Sequence, residues 1–351
     1  MSVAVSAVPL STRPGGDAGN DPHHLHSAHG LLFSSARRLP TWRAETGPDD
    51  PSGGGFDIRL HFGKPSGRSE SAGPPSWRHV VSSAHLDAAG RPLVRVDESS
   101  NGGSWRRFSY HDAAVFHVDG EGRHVWLDWP TSMSLSSVWP YFTGPVLTWL
   151  LRLNGRVVLH AASVAVDGGA VLIAGPSGAG KSTTAAAFAV NGYRVAGDDT
   201  ASLAPSGPAR AVSLWPEGPH LRLWPEASPA VSGLDVESLP PICEGWEKRS
   251  YEVRRFSSEP LPLRAIFCVR LDFAAEDRPS LRRLAKAEAL PTLVAQAAAP
   301  ELSTREMRRT EFDVLADVAA QTPVFELWRP AAGGAHGADR VKRAILRSLG
   351  A

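Results

Sequence analysis

The sequence predicts an α/β protein in which a mainly antiparallel β module precedes a core of buried strand, glycine-rich loop and helix. Three observations predict it. Short segments with alternating apolar and polar residues recur between residues 30 and 129. The run Ala170-Val171-Leu172-Ile173-Ala174 is apolar without alternation, the pattern of a strand buried on both faces. The next residues, Gly175 to Ser182, are glycine-rich and lead into a helix-prone run from Thr183 to Val190. A chain of 351 residues has room for about two domains. We divide it into a flexible tail (1–24), an N-terminal β-rich module (25–135) and a second domain (136–351).

The tail is rich in Ser, Gly, Pro and Ala. His23, His24, His26 and His29 follow it and read as a solvated loop, because no cysteine or carboxylate cage lies nearby to complete a metal site. In the module, Phe56 to Phe62 alternates as a half-buried strand, and Leu93 to Val96 repeats the pattern. Ala114–Val118 and His124–Trp129 flank Asp119-Gly120-Glu121-Gly122, a hairpin signal. Tyr141 to Leu153 reads as a helix ended by Gly155. Strands are expected at Arg156–His160, Ser163–Val166, Ala265–Leu271 and Val324–Trp328. Helices are expected at Ser303–Ala320 and Ala338–Leu349.

Composition excludes several function classes. Lys+Arg 37 against Asp+Glu 36 gives a charge of +1, so no global field draws in nucleic acid or acidic membrane, and neither is an expected partner. The two cysteines, Cys243 and Cys268, supply neither a disulfide framework nor a four-ligand zinc site, which points to a reducing cytoplasm. Met1 to Leu10 lacks a basic segment and is cut off by Pro9 and Pro14, unlike a secretory leader. The most apolar stretch, Val138 to Leu153, is broken by Pro140, Gly144, Pro145 and Arg152.

The strongest motif is Gly175-Pro176-Ser177-Gly178-Ala179-Gly180-Lys181-Ser182, a full G-x-x-x-x-G-K-[ST] match between a buried strand and a helix. Its glycines let backbone N–H groups turn inward around phosphate oxygens. The helix start, continuing through Thr183, adds its positive end. Lys181 brings a charge to the β- and γ-phosphates, and the Ser182 hydroxyl is a hard oxygen suited to Mg²⁺. These residues imply a bound nucleotide triphosphate. Downstream, Tyr193 to Gly197 leads into Asp198-Asp199, 17 and 18 residues after Lys181. One helix and one short strand fill that interval, which carries both carboxylates to the ligand-binding ends of the strands. Adjacent strand residues face opposite ways, so one aspartate can hold Mg²⁺ while the other faces an incoming hydroxyl.

The run from His160 to Asp199 resembles the HPr kinase/phosphorylase superfamily. It carries a histidine in Leu159-His160-Ala161-Ala162-Ser163, the phosphate loop, Gly192-Tyr193-Arg194-Val195 and the double aspartate at the family's spacing. The resemblance implies a P-loop, HPr-kinase-like core and ATP-dependent phosphorylation of a serine hydroxyl. It implies that Asp198 acts as base on the acceptor, that Asp199 and Ser182 hold Mg²⁺, and that His160 stands near the phosphates. A family Glu-Ile-Arg-Gly segment is matched by His220-Leu221-Arg222-Leu223. Arg222 is kept there as a phosphate or structural residue, and His220 replaces the metal-holding glutamate. Lys248, Arg249, Arg254 and Arg255 would form a cationic lid.

The start Gly30-Leu31-Leu32-Phe33-Ser34-Ser35 and the β module are similar to HPr-kinase-related proteins of bacterial peptide-biosynthesis clusters. Some of these, in lasso-peptide pathways, phosphorylate a serine of a precursor peptide. The expected partners are therefore ATP and a serine-bearing peptide or small protein. Hexamers in the superfamily imply self-association. Two other readings fit the same residues: a small-molecule kinase on this core, and a nucleotide-dependent binding module without transfer.

Overall fold

The computed structural model describes residues 23–351 except 43, 45–55, 66–75, 84–85, 88, 100–104, 112, 207–210, 274–277 and 332–335. The expected tail, through residue 22, lies outside the described residues; its last residue, His24, opens a strand.

Eight strands form the first sheet: β1 (His24–Ala28), β2 (Leu31–Ser35), β3 (Ile58–Phe62), β4 (Trp77–Ser82), β5 (Val94–Ser99), β6 (Arg106–Tyr110), β7 (Ala114–Val118) and β8 (His124–Asp128). Their order is β1-β2-β3-β8-β7-β6-β5-β4. Pairing is antiparallel except where β3 lies between β2 and β8, parallel to both. The expected hairpin is β7–β8, and Asp119 closes it by accepting from the backbone N–H groups of Arg123 and His124 at 2.8 and 3.1 Å. The histidine cluster is not a solvated loop: His26 and His29 are buried at β1 and the turn after it. Alternation places Leu60, Phe108, Phe116 and Leu127 on the inner face, completely buried.

That face is covered by α1 (Leu135–Tyr141), a π-turn at Phe142–Val146 and α2 (Leu147–Leu153). The helix starts earlier than expected, capped by Ser134, and bends at Gly144, whose φ/ψ of −89°/−118° is non-helical, before Pro145. Trp139, Phe142, Leu147, Trp149 and Leu150 share one core with the sheet. The helix expected at Tyr141–Leu153 thus packs with the first sheet, because its apolar stripe has that inner face to bury.

The second sheet contains β9 (Val157–Leu159), β10 (Ala161–Val166), β11 (Gly169–Ala174), β12 (Arg194–Gly197), β13 (Ala201–Pro205), β14 (Val212–Trp215), β17 (Leu261–Asp272), β18 (Ser280–Arg283) and β19 (Val324–Pro330). Between them a separate pair forms from β15 (His220–Leu223) and β16 (Arg249–Glu252). The strand β17 runs parallel to β11 on one side and to β19 on the other. Its first residues also pair with β14, which leads through β13 to β9. The helices are α3 (Lys181–Val190), α4 (Lys286–Val294), α5 (Arg305–Gln321) and α6 (Gly337–Leu349).

Every residue of β11 is buried. Val171 and Ile173 face the core with Phe188 of α3 and Ile345 of α6. Ala170, Leu172 and Ala174 face the core with Leu293 of α4 and Leu315 of α5. This two-sided cover explains the absence of alternation in the strand, and each large apolar side chain buried there contributes about 1.5–3 kcal/mol. Among the described residues no helix is long and apolar enough to cross a membrane.

Candidate active site

The glycine-rich loop runs from the carboxyl end of β11 to the start of α3. Gly180 precedes α3 in the left-handed region, φ 84°. A Cβ there would lie 3.2 Å from Nε of Arg329, so glycine is required by conformation and by space. Arg329, near the end of β19, donates from Nε to the Ala179 carbonyl at 2.7 Å and from Nη2 to that of Gly178 at 3.3 Å. It ties the loop to β19.

Lys181 is buried, and its Nζ donates to the carbonyls of Gly175 and Pro176, both at 3.0 Å. The same nitrogen stands 2.9 Å from Nε2 of His160. Nδ1 of His160 lies 3.1 Å from the Asp199 carbonyl, which can only accept. Nδ1 therefore carries the ring proton, and Nε2 accepts from Lys181. Burial, then the Lys181 charge, lowers the His160 pKa and keeps the ring neutral. Burial also lowers the Lys181 pKa, partly offset by Asp199 and Asp198.

Both aspartates follow β12, as expected. Asp198 is buried: Oδ1 accepts from the Ser182 hydroxyl at 2.8 Å and Oδ2 from the Arg222 backbone N–H at 2.8 Å. Asp199 takes a left-handed φ of 70°, which turns its carboxylate the other way, to Nη1 of Arg222 at 2.9 Å. Aspartate is among the few side chains that tolerate this conformation. Burial and the neighbouring Asp199 charge raise the Asp198 pKa. Burial alone would also raise Asp199, but Arg222 and then Lys248 outweigh it and hold that carboxyl below its ordinary range.

This geometry gives the two aspartates, expected as base (Asp198) and metal ligand (Asp199), separate partners. The carboxylate beside Ser182 is that of Asp198, not Asp199. Asp199 instead lines two cavities. The first, about 560 Å³, is bounded by Ser177, Gly178, Lys181, Ser182 and Thr183 on the loop side and by Trp224 and Lys248 opposite. The second, about 720 Å³, opens toward the N-terminal sheet and reaches Tyr110 and Tyr141. His160, Asp199 and Arg222 border both. Gly175, Pro176 and Ala179 contribute main-chain carbonyls, engaged by Lys181 and Arg329.

Arg222, on β15, ties the carboxylates together. Nη2 lies 3.4 Å from Glu217 Oε1 and 3.4 Å from the Thr143 hydroxyl, beyond its bond to Asp199. Glu217 is buried, accepts from the Asp198 N–H at 3.1 Å, and has its pKa raised to about 8, by burial first and then by Asp198 and Asp199 against the pull of Arg222. Gly197 makes room for it, since a Cβ there would lie 2.9 Å from the Glu217 Cβ. Sequence reasoning missed Glu217 and Arg329. The available signal for Glu217 was a lone carboxylate in the apolar, proline-rich stretch five residues before Arg222. Of the four cations expected as a lid, only Lys248 lines the cavity, where it sits 5.3 Å over the Trp224 ring. Arg249 is paired within β16, and Arg255 donates to the Gly192 carbonyl.

Among the described residues no cluster of three His, Cys, Asp or Glu forms a metal cage. Ser182 and Asp198 nonetheless present two hard oxygens 2.8 Å apart beside the loop. Such a sparse oxygen set fits Mg²⁺, which keeps several waters and takes phosphate oxygens, and does not fit a closed zinc site.

No family model and no curated protein matches the chain. Among solved structures it is similar to the HPr(Ser) kinase/phosphatase from Coxiella burnetii, at 12% identity and a TM-score of 0.29, over 54% of this chain and 97% of that one.

Proposed function

We propose that the chain is an ATP-dependent kinase with an HPr-kinase-like core that phosphorylates a serine hydroxyl of a peptide or small protein. The observation that carries this reading is the position of Asp199. It borders both the cavity beside the phosphate loop and a second cavity, with His160 and Arg222 at the same boundary. A kinase needs such a boundary, because its two substrates must meet in line, whereas a nucleotide-binding module does not.

The loop amides and the N-terminus of α3 bind phosphate oxygens, and Lys181 supplies the point charge between them. Ser182 and Asp198 would hold Mg²⁺, which when bound neutralises charge on the phosphate oxygens. Asp199 accepts a hydrogen bond from the acceptor hydroxyl and aligns it. Arg222 beside it holds its carboxyl below the ordinary range, so it is available as acceptor. His160 holds Lys181 on one side and the Asp199 main chain on the other. Transfer of this kind has a loose transition state, so alignment and charge stabilisation supply most of the acceleration. Buried free thiols at Cys243 and Cys268 fit a cytoplasmic setting.

The test is incubation with γ-labelled ATP and serine-bearing peptides, followed by mass spectrometry. Phosphate should appear on serine and vanish in Lys181→Ala. ATP consumption with no phosphorylated acceptor would contradict the kinase reading.

A further inference from the structure

The second cleft has a character of its own. It lies between the N-terminal sheet and the core, with Leu93, Val94 and Tyr110 on one wall and Ala297, Ala298 and Ala299 on another. Trp246 borders it too, edge-on to Tyr141 with ring centroids 6.1 Å apart. Its floor is the boundary already described, His160, Asp199 and Arg222. The bend after α1 contributes Thr143, Gly144 and Pro145, and Thr143 contacts the same Arg222 that holds Asp199. The β module therefore supplies part of the acceptor side of the site.

The ionisable groups on these walls, beyond the boundary residues, are Asp87, His111 and Glu301. Arg222 is committed to Asp199 and Glu217. Asp87 is neutralised by Arg91 at 2.9 Å. An acidic side chain entering here would meet the carboxylates of Asp87, Asp199 and Glu301, and any charge placed against the apolar walls would lose water, which is costly. A sugar or other polyol would meet the hydroxyls of Ser83, Thr143, Thr148 and Thr200 but would leave others facing the apolar walls, which is costly. The cleft is also larger than the cavity beside the phosphate loop, about 720 against 560 Å³. A single amino acid would leave apolar surface wet.

We propose that this cleft is the acceptor subsite and that it takes an extended peptide with uncharged, apolar side chains on both sides of the phosphorylated serine. The proposal rests on the kinase reading above and adds to it the chemical class of the acceptor and the part of the chain that selects it.

The experiment uses the full chain, γ-labelled ATP and a peptide library with a central serine and randomised flanks. Free serine, glycerol and glucose serve as small acceptors. Two variants probe the walls, Leu93→Arg and Trp246→Ala; both side chains are substantially exposed, so both variants should fold. The result expected is label concentrated in peptides with apolar flanks. Leu93→Arg should lower kcat/KM for them by about tenfold, mainly through KM, and improve peptides with an acidic flank. Binding of a fluorescent ATP analogue should be unchanged in both variants, because neither residue borders the first cavity. Lys181-dependent transfer that ignores the flanks and both substitutions would overturn the acceptor assignment and leave the kinase reading standing. Preferential labelling of a small acceptor would do the same. Absence of transfer to every acceptor, by a protein that binds the nucleotide analogue, would overturn both.

Discussion

Ser182 donates its hydroxyl proton to Asp198 at 2.8 Å, so the residue that ends the phosphate motif is joined to the first of the two aspartates and not the second. If these two oxygens hold the metal, Ser182→Ala and Asp198→Asn should share a phenotype. Each should raise the Mg²⁺ concentration needed for half-maximal turnover by about tenfold or more, with a smaller effect on nucleotide binding in the absence of Mg²⁺. A Mg²⁺ titration of Asp198→Asn that overlays wild type would remove Asp198 from the metal side.

Asp199 should behave differently. Its carboxylate borders both cavities and is held ionised by Arg222 and Lys248. Asp199→Asn should lower turnover on the order of 10²-fold or more while leaving nucleotide affinity within a few-fold. Lys181→Ala should instead abolish nucleotide binding. Comparing turnover with analogue binding in the two variants separates the roles, and near-normal turnover in Asp199→Asn would refute the alignment proposed for it.

Arg222 is the hinge of this arrangement, bonded to Asp199, Glu217 and Thr143. Lysine retains the charge but not the planar fork. Arg222→Lys should therefore fold and bind nucleotide, yet lose about tenfold or more in turnover, since Asp199 is no longer oriented. Arg222→Ala leaves buried carboxylates unpaired and should cost about 2–3 kcal/mol, less than a fully enclosed pair because the side chain keeps some solvent contact. Chemical denaturation read beside turnover distinguishes the two effects.

His29 provides a pH test outside the two cavities. It is completely buried after β1, its N–H donates to the Pro216 carbonyl at 2.6 Å, and neither ring nitrogen has a hydrogen-bond partner among the described residues. Burial first, then Arg156 and Arg222, push its pKa from 6.5 down to about 3. Above pH 6.5 the ring is neutral in both the folded and unfolded chain. Below it, the unfolded chain takes up a proton that the folded chain refuses. Its contribution is therefore fully present above pH 6.5 and is lost as the pH falls toward 3, at a slope of up to about 1.4 kcal/mol per pH unit. Asparagine tolerates the left-handed φ of 56° at this position. The melting temperature of His29→Asn should thus fall less steeply between pH 6.5 and 4 than that of wild type. Parallel curves would show that His29 does not set the slope.

The phosphate loop also has a stereochemical test. Gly180→Ala places a side chain at φ 84° against the Arg329 guanidinium. The left-handed conformation alone costs about 1–2 kcal/mol. Nucleotide affinity should fall more than global stability, because the strain sits in the loop; an unchanged affinity for the ATP analogue would count against a phosphate-binding role for these amides.

What the sequence by itself determined was local. β11, the loop and α3 were legible because the two-sided apolar run, the glycines and the helix-prone stretch are contiguous, and each state follows from its own residues. The β7–β8 hairpin was legible for the same reason, since Asp119 closes the turn beside the strands it joins. α5 was legible as a helix-prone run between Pro300 and Pro323.

Tertiary structure decided what depends on distant partners. β13 to β16 are short and lie among prolines, and they exist through pairings such as Leu223 with Arg249, which no local pattern encodes. The helix around Pro140 belongs to the first sheet because that sheet has an apolar face to cover. Asp198 and Asp199 are neighbours of the same chemical type. Only the left-handed turn at Asp199, with Ser182 on one side and Arg222 on the other, gives them separate environments. Glu217 reaches the site from the loop between β14 and β15 and Arg329 from β19, so their place there is a property of packing: a charge finds its partners only once burial has brought the distant segments together.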